Sequence, residues 1–217
     1  MCASSVGAQF TQPDDPAARS IFRQPQLGFA FAPMALTESN SGRGVRLSAE
    51  YHLLHEWNGI TEVTGYLPHG TPFTKVSGFR LRQDVVRYNS QREFYAGVSM
   101  MFKAQKIDHI AIVPIDDSTT YRKPYALIKR VLSPSFVIGS TGYFGEDSNW
   151  FIGGAIYLGV RYRNARIDGL TPTEASTMWP FDNESTDFVR NWALKDGVNW
   201  YPELNLTLKI GYDLRWD

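Results

Sequence analysis

Two closely spaced histidines are the first candidates for chemistry in this sequence. His52 and His55 are three residues apart and lie beside Glu50 and Glu56. An imidazole next to a carboxylate could act as a general acid or base, or form part of a metal site. The surrounding residues predict a β-strand, however, and a strand places residues three apart on opposite faces. We therefore do not expect these two histidines to share one site.

The remaining candidates for catalysis are equally sparse. His69 and His109 are expected in loops, where a solvated histidine is ordinary. A single cysteine, Cys2, excludes an internal disulfide framework and a cysteine-rich metal site. The sequence contains no glycine-rich phosphate loop and no serine nucleophile elbow. We therefore expect no catalytic residue, no cofactor and no metal ion, and we expect that the protein is not an enzyme.

A binding function is more consistent with the segment from residue 171 to residue 197, "TPTEASTMWPFDNESTDFVRNWALKDG". Large apolar side chains in this segment, set among acidic residues, could anchor a partner protein or a glycan. The candidate partner-binding residues are Met178, Trp179, Phe181, Phe188 and Trp192. The same side chains could instead fold back as a local lid.

β-Strands must carry this segment, because apolar and polar residues alternate over most of the chain. The clearest example is "LNLTLKIGYDLRW", residues 204 to 216. The alternation predicts eight strands and almost no helix, over approximately residues 25–36, 43–56, 59–67, 75–89, 92–107, 121–144, 149–167 and 200–216. The pair Val85-Val86 breaks the alternation and predicts a bulge, and Pro134 predicts an edge or bulge position.

The predicted connections alternate between short and long. "EWNG", with Asn58-Gly59 as a tight turn, "NSQR" and "GEDSN" are short. The others are longer: "TESNSGR", "PHGTPFT", a stretch around "KIDHIAIVPIDDSTT" and about 30 residues before the last strand. Trp57, Trp150 and Trp216 then lie at the end with short connections, and Trp200 and Tyr201 at the other end. This arrangement is typical of bacterial outer-membrane barrels.

The two faces of the strands distinguish two architectures. In a soluble, lipocalin-like barrel the apolar face would turn inward around a small apolar ligand. In a membrane barrel the apolar face would meet lipid, and the charged face would surround a narrow interior where acids and bases must pair. Acidic and basic residues are interleaved, which favours the membrane arrangement. The charged residues that would then point inward are Arg46, Glu50, Glu62, Arg80, Arg82, Asp84, Lys103, Arg161, Arg163, Lys209, Asp213 and Arg215.

Several segments resemble one family of proteins. They are "GVRLSAEYHL", "GFRLRQDVVRY", "EFYAGVSMMFK", "FIGGAIYLGVRYRNARI" and "LNLTLKIGYDLRW". Together they are similar to small outer-membrane β-barrels of unassigned function that are common in Bacteroides-like Gram-negative bacteria. The resemblance implies a secreted precursor, residence in the outer membrane and recognition of the last strand by the barrel-assembly machinery. That machinery reads a terminal aromatic residue, whereas here Trp216 is followed by Asp217.

We therefore predict an all-β chain that forms an eight-stranded antiparallel up-and-down transmembrane β-barrel with a polar packed interior. The barrel domain is expected over residues 24–217, after a signal-peptide remnant and extended tail over residues 1–23 in which Cys2 could alternatively carry a lipid. The predicted function is a non-enzymatic envelope protein, structural or binding a partner protein or glycan through long outer loops. Its expected partners are outer-membrane lipids and the assembly machinery, not nucleic acid, because 22 basic residues balance 22 acidic ones. A lipid-modifying barrel enzyme and a soluble carrier are the alternatives.

Overall fold

The computed structural model describes residues 27–32, 44–54, 57–69, 74–89, 92–115, 119–144, 149–177, 179–180 and 197–214. Within these ranges the chain forms nine strands and one short helix. The strands are β1 (Leu27–Phe31), β2 (Gly44–Leu54), β3 (Trp57–His69), β4 (Thr74–Tyr88), β5 (Phe94–Pro114), β6 (Thr120–Phe144), β7 (Trp150–Asp168), β8 (Trp179–Pro180) and β9 (Gly197–Leu214). The helix α1 (Pro172–Thr177) follows β7.

Eight of the strands form a ring-like antiparallel sheet. Each strand from β1 to β7 pairs with its neighbour in sequence, except that β7 pairs with β9, and β9 pairs with β1 to complete the ring. The remaining strand, β8, contributes two residues that pair with the end of β5. The prediction of an all-β chain with eight principal antiparallel strands and almost no helix is confirmed.

The two ends of the ring differ in their connections. Residues 55–56, 89–93 and 145–149 join strands at the end where β1 begins and β9 ends. We call this the lower end and the opposite one the upper end. At the upper end the connection between β5 and β6 is only residues 115–119, because β5 continues through most of the stretch predicted as a long connection. In this stretch the alternate residues Ile107, Ala111 and Val113 point into the ring and are buried. Their burial explains why the strand continues.

Three local predictions are wrong. Asn58 and Gly59 do not form a turn but lie in β3, paired with His52 and Tyr51 of β2. The ring of Tyr51 covers Gly59, where an added Cβ would lie 2.6 Å from it. Val85-Val86 forms no bulge, because the register between β3 and β4 runs unbroken from Trp57 to Tyr66.

Pro134 also differs from its prediction. It lies within β6 opposite Met100 of β5, and it interrupts the ladder with β7 without shifting its register. The missing N–H of proline explains the interruption, and an intact ladder on the other side of β6 explains why the strand tolerates it.

Along each strand, alternate residues point to opposite faces, and the mainly apolar set is exposed whereas the set that contains the charged residues is buried. On β9 the exposed fractions of Leu204, Leu206 and Leu208 are 69%, 59% and 52%, whereas Glu203 and Thr207 are each 3% exposed. The same inversion holds for the other long strands. We call the side bearing the exposed apolar residues the outer face and the opposite side the inner face. Among the described residues, no helix has the length and apolar character needed to cross a membrane.

Candidate functional site

The outer face carries aromatic pairs at two levels. Near the lower end, Trp150 of β7 and Tyr212 of β9 have ring centroids 5.1 Å apart. Near the upper end, Tyr162 and Trp200 of the same two strands are 4.9 Å apart. Between these pairs the outer residues of both strands are mainly exposed aliphatic side chains. They are Ile152, Ile156, Leu158, Val160, Leu204, Leu206, Leu208 and Ile210.

A cluster of arginines around one carboxylate occupies the middle of the inner face. Glu62 of β3 lies 2.6 Å from Nη2 of Arg80, 3.4 Å from Nε of Arg46 and 3.8 Å from Nη1 of Arg82. All four side chains are nearly fully buried. Thr64 accepts a further hydrogen bond from Arg46 at 3.2 Å. These four charged residues come from three adjacent strands, so the ring itself assembles the cluster.

A second charged network lies toward the lower end. Glu50 accepts hydrogen bonds from Arg92 and from the hydroxyl of Tyr88, each at 2.9 Å. Arg92 also lies over the ring of Tyr88, 4.4 Å from its centroid. Its backbone has a φ of 57°, in the left-handed region that few residues other than glycine adopt. The turn between β4 and β5 thus holds a strained residue whose side chain reaches inward.

Aromatic residues connect these two networks. The hydroxyl of Tyr157 donates to Asp84 at 3.0 Å, and the guanidinium of Arg82 lies 3.7 Å from the centroid of the same ring. Tyr157 also belongs to a buried apolar cluster with Ile60, Val86, Tyr95, Val137 and Ala155. Tyr88 of the second network packs against the same cluster, so this apolar cluster contacts both charged networks.

At the upper end, α1 is attached to β6 by one carboxylate. Glu174 accepts two hydrogen bonds from Nζ of Lys123, each at 2.8 Å, and one from the hydroxyl of Tyr121. It also accepts from the backbone N–H of Thr171 at 2.6 Å, while the hydroxyl of Thr171 accepts from the N–H of Glu174. This is a capping box at the start of α1. The bonds from Lys123, Thr171 and Tyr121 lower the pKa of Glu174 from 4.5 to about 2.

Only part of the candidate partner-binding segment lies in the described residues. The backbone of Trp179 pairs with Ile112 of β5, and Pro180 pairs with Ala111. Met178, Phe181, Phe188 and Trp192 lie outside the described residues. The structure thus brings the start of the segment against the upper ends of β5 and β6, and the partner-binding role of its apolar side chains stays a prediction.

Two of the histidines take different positions from those predicted, whereas His52 lies in β2 as expected. His69 and His109 lie in β3 and β5 instead of loops. His109 stacks on Tyr125 with ring centroids 5.5 Å apart, and His52 lies 3.3 Å from Asn58. His55 is outside the described residues. No three His, Cys, Asp or Glu side chains in the described ranges come together in a way that could hold a metal ion.

Some polar residues of the inner face were missed by the sequence analysis. Arg92 was overlooked because it lies in a turn, where the alternation of residues does not predict which way a side chain points. Glu203 and Lys129 do follow the inward parity of β9 and β6, so the alternation could have identified them. The motif Thr171-x-x-Glu174 could likewise have identified the start of α1.

No protein-family model and no curated protein matches this chain. The resemblance to small outer-membrane barrels therefore stays a prediction based on the quoted segments.

Proposed function

We propose that this protein is a non-enzymatic outer-membrane β-barrel of a Gram-negative envelope, which holds its upper connections outside the cell to bind a partner protein or a glycan. The observation that carries the proposal is that the apolar face of the strands is exposed while the charged face is buried. A ring of exposed Leu, Ile, Val and Phe side chains around buried Arg and Glu is unfavourable in water and favourable in hydrocarbon. This arrangement also disfavours a soluble carrier, whose interior would be apolar.

The dimensions of the outer face support the same proposal. Trp150 and Tyr162 are separated by about twelve residues along β7, at about 3.3 Å per residue. With a strand tilt of about 40°, the two aromatic pairs lie about 30 Å apart along the axis. Aromatic side chains at such a spacing match the two interfaces of a bilayer.

The strand connections support an orientation. Short connections occur at both ends, but the two long ones, residues 32–43 and 169–196, both lie at the upper end. Long connections correspond to the extracellular side of known outer-membrane barrels. The upper end then faces outward and carries α1, β8 and the segment with the candidate partner-binding residues. The extended β5 and β6 provide a rigid support for this segment, because α1 and β8 are both attached to them.

A charge placed on the outer face tests membrane insertion. Leu206→Arg should lower the free energy of unfolding in lipid vesicles by about 2–4 kcal/mol, because it places a guanidinium near the middle of the apolar zone. Asn164→Arg is the matched control, since Asn164 is an exposed outer residue of β7 above Tyr162. Urea titration measures both. Equal, near-zero effects of the two substitutions would contradict membrane insertion.

Deleting residues 172–195 tests the binding role. The ring should still form, which heat-dependent gel migration would report, while capture of an envelope protein or glycan from the cell surface should be lost. A variant that still captures the same partner would rule out this segment as the binding site.

The non-enzymatic part of the proposal is tested on lipid A. Cells with and without the protein should contain lipid A with the same acylation pattern when analysed by mass spectrometry. A changed pattern would support a lipid-modifying enzyme instead.

A further inference from the structure

Lys129 of β6 is a buried lysine with an unusual environment. Its exposed fraction is 7%, and it lies on the inner face. Among the residues that the structure describes, none forms a hydrogen bond or ion pair with its ammonium group. Arg163 of β7 lies opposite Val131, the next inner residue of β6 after Lys129, and Arg161 is the neighbour of Arg163 on the same face. Both carry the same sign of charge as Lys129. An ammonium buried among other cations is unfavourable unless an anion joins it.

The carboxylate beside these cations is already engaged. Glu203 of β9 pairs with Nε of Arg161 and accepts a hydrogen bond from the hydroxyl of Ser133 at 3.1 Å. Arg163 lies over the ring of Tyr201, 5.4 Å from the centroid. Of these cations, Arg161 therefore has its carboxylate partner in Glu203.

The same imbalance extends over the whole inner face that the structure describes. Seven basic side chains are buried there, against five acidic ones. The basic ones are Arg46, Arg80, Arg82, Arg92, Lys129, Arg163 and Lys209, and the acidic ones are Glu50, Glu62, Asp84, Glu203 and Asp213. The arginines around Glu62 and the Arg92–Glu50 pair have carboxylate partners, whereas the ammonium of Lys129 forms no hydrogen bond or ion pair with any described residue.

The surroundings of the cluster are apolar on one side and reach solvent on the other. Lys129 is opposite Ala165, which packs with Ile107 and Leu127 in an apolar layer on the upper side. This layer strengthens any electrostatic attraction by excluding water. The side chain of Arg161 is 39% exposed, so solvent reaches the cluster from one side.

We propose that Lys129, Arg161 and Arg163 form a binding site for an oxyanion, a phosphate or carboxylate group, inside the upper part of the ring. A guanidinium group can donate two parallel hydrogen bonds to the oxygens of such a group, and the lysine ammonium adds a point charge with three donors. The group could belong to a free ion or to the head of an amphiphile. The site lies on the inner face and is independent of what surrounds the outer face.

Thermal unfolding of the purified full chain in an uncharged maltoside detergent tests the site. Inorganic phosphate, added at constant ionic strength with chloride as the compensating ion, should raise the Tm saturably by several degrees. Lys129→Met should lose this shift. Its Tm without phosphate should equal or exceed that of the unchanged chain, because the substitution removes an uncompensated buried charge.

Lys106→Met is the control, since Lys106 is an exposed lysine paired with Asp108 on the outer face of β5. Its response to phosphate should match that of the unchanged chain. Dodecyl phosphate is compared with inorganic phosphate to identify the source of the group: tighter, Lys129-dependent binding assigns an amphiphile, and equal binding assigns a free ion. No saturable shift of the unchanged chain with either probe, or an undiminished shift in Lys129→Met, would overturn the proposal.

Discussion

Glu62 is the residue on which the central charge cluster depends. It is the carboxylate that approaches Arg46, Arg80 and Arg82, and it is 5% exposed. Arginines packed this closely repel one another in a medium of low dielectric constant. Their shared contact with Glu62 offsets that repulsion, so the cluster is stable as a unit and unfavourable when its acid is removed.

Glu62→Gln should therefore lower the free energy of unfolding by about 3–5 kcal/mol, because it keeps the size of the side chain and leaves three buried guanidinium groups without their shared carboxylate. Urea titration of the folded protein measures the change. Glu93→Gln is the matched control, since Glu93 is exposed in the turn before β5, and it should have little effect. Similar unfolding midpoints for the two variants would show that the arginines find sufficient compensation elsewhere.

At the scale of elements, α1 is held by its capping box and by its bonds to β6. A helix of six residues is too short to be stable alone, so it depends on these contacts. Because the folded pKa of Glu174 is lowered to about 2, its contribution is complete above the ordinary pKa of 4.5. The contribution is lost as the pH falls from 4.5 through about 2.

Acidification from pH 5 to pH 2 should therefore detach α1 from β6 while the ring persists. The amide of Ala175, which donates to Thr171 at 2.9 Å, reports this as loss of hydrogen-exchange protection after correction for intrinsic rates. The amide of Thr141, bonded to Glu93 at the lower end, is the internal control. Glu174→Gln should reproduce the loss at pH 7. Unchanged protection of Ala175 in that variant would mean that other contacts hold the helix.

At the scale of the whole molecule, the ring is completed by its shortest principal strand. β1 has five residues, and it pairs with β2 on one side and β9 on the other. Gly28 lies at the centre of this closure. A Cβ added there would lie 2.5 Å from Oδ1 of the buried Asp213 and 3.7 Å from Cβ of Glu50. A side chain at this position would therefore have to displace the carboxylate of Asp213.

Gly28→Val should weaken closure of the ring, with a loss of about 1–3 kcal/mol typical of overpacking, because Asp213 must move from its buried position. Heat-dependent gel migration and the unfolding midpoint measure the effect. Gly65→Val is the control, since no atom lies within 4 Å of the Cβ it would add. If both variants migrate and unfold alike, the fit of β1 between its neighbours is looser than the geometry indicates.

The sequence alone determined the number of principal strands and their antiparallel class. It also determined which of the two strand faces is apolar and which is polar. These properties follow from a period of two that is readable within about ten residues. It also identified most of the charged side chains of the inner face, such as Arg46, Glu62 and Arg82. It failed where local signals were misleading: Asn58-Gly59 resembles a turn, yet it is a strand segment covered by Tyr51.

Only the tertiary structure decided which face of the strands is enclosed. Enclosure depends on the pairing of β1 with β9, which lie at opposite ends of the sequence. Strand register is likewise non-local, so alternation could not predict that Arg46, Arg80 and Arg82 meet at one glutamate. The extension of β5 depends on burial of Ile107 against Leu127 of β6. Similarly, Arg92 points to Glu50 because the turn adopts a left-handed backbone, which no repeating pattern encodes.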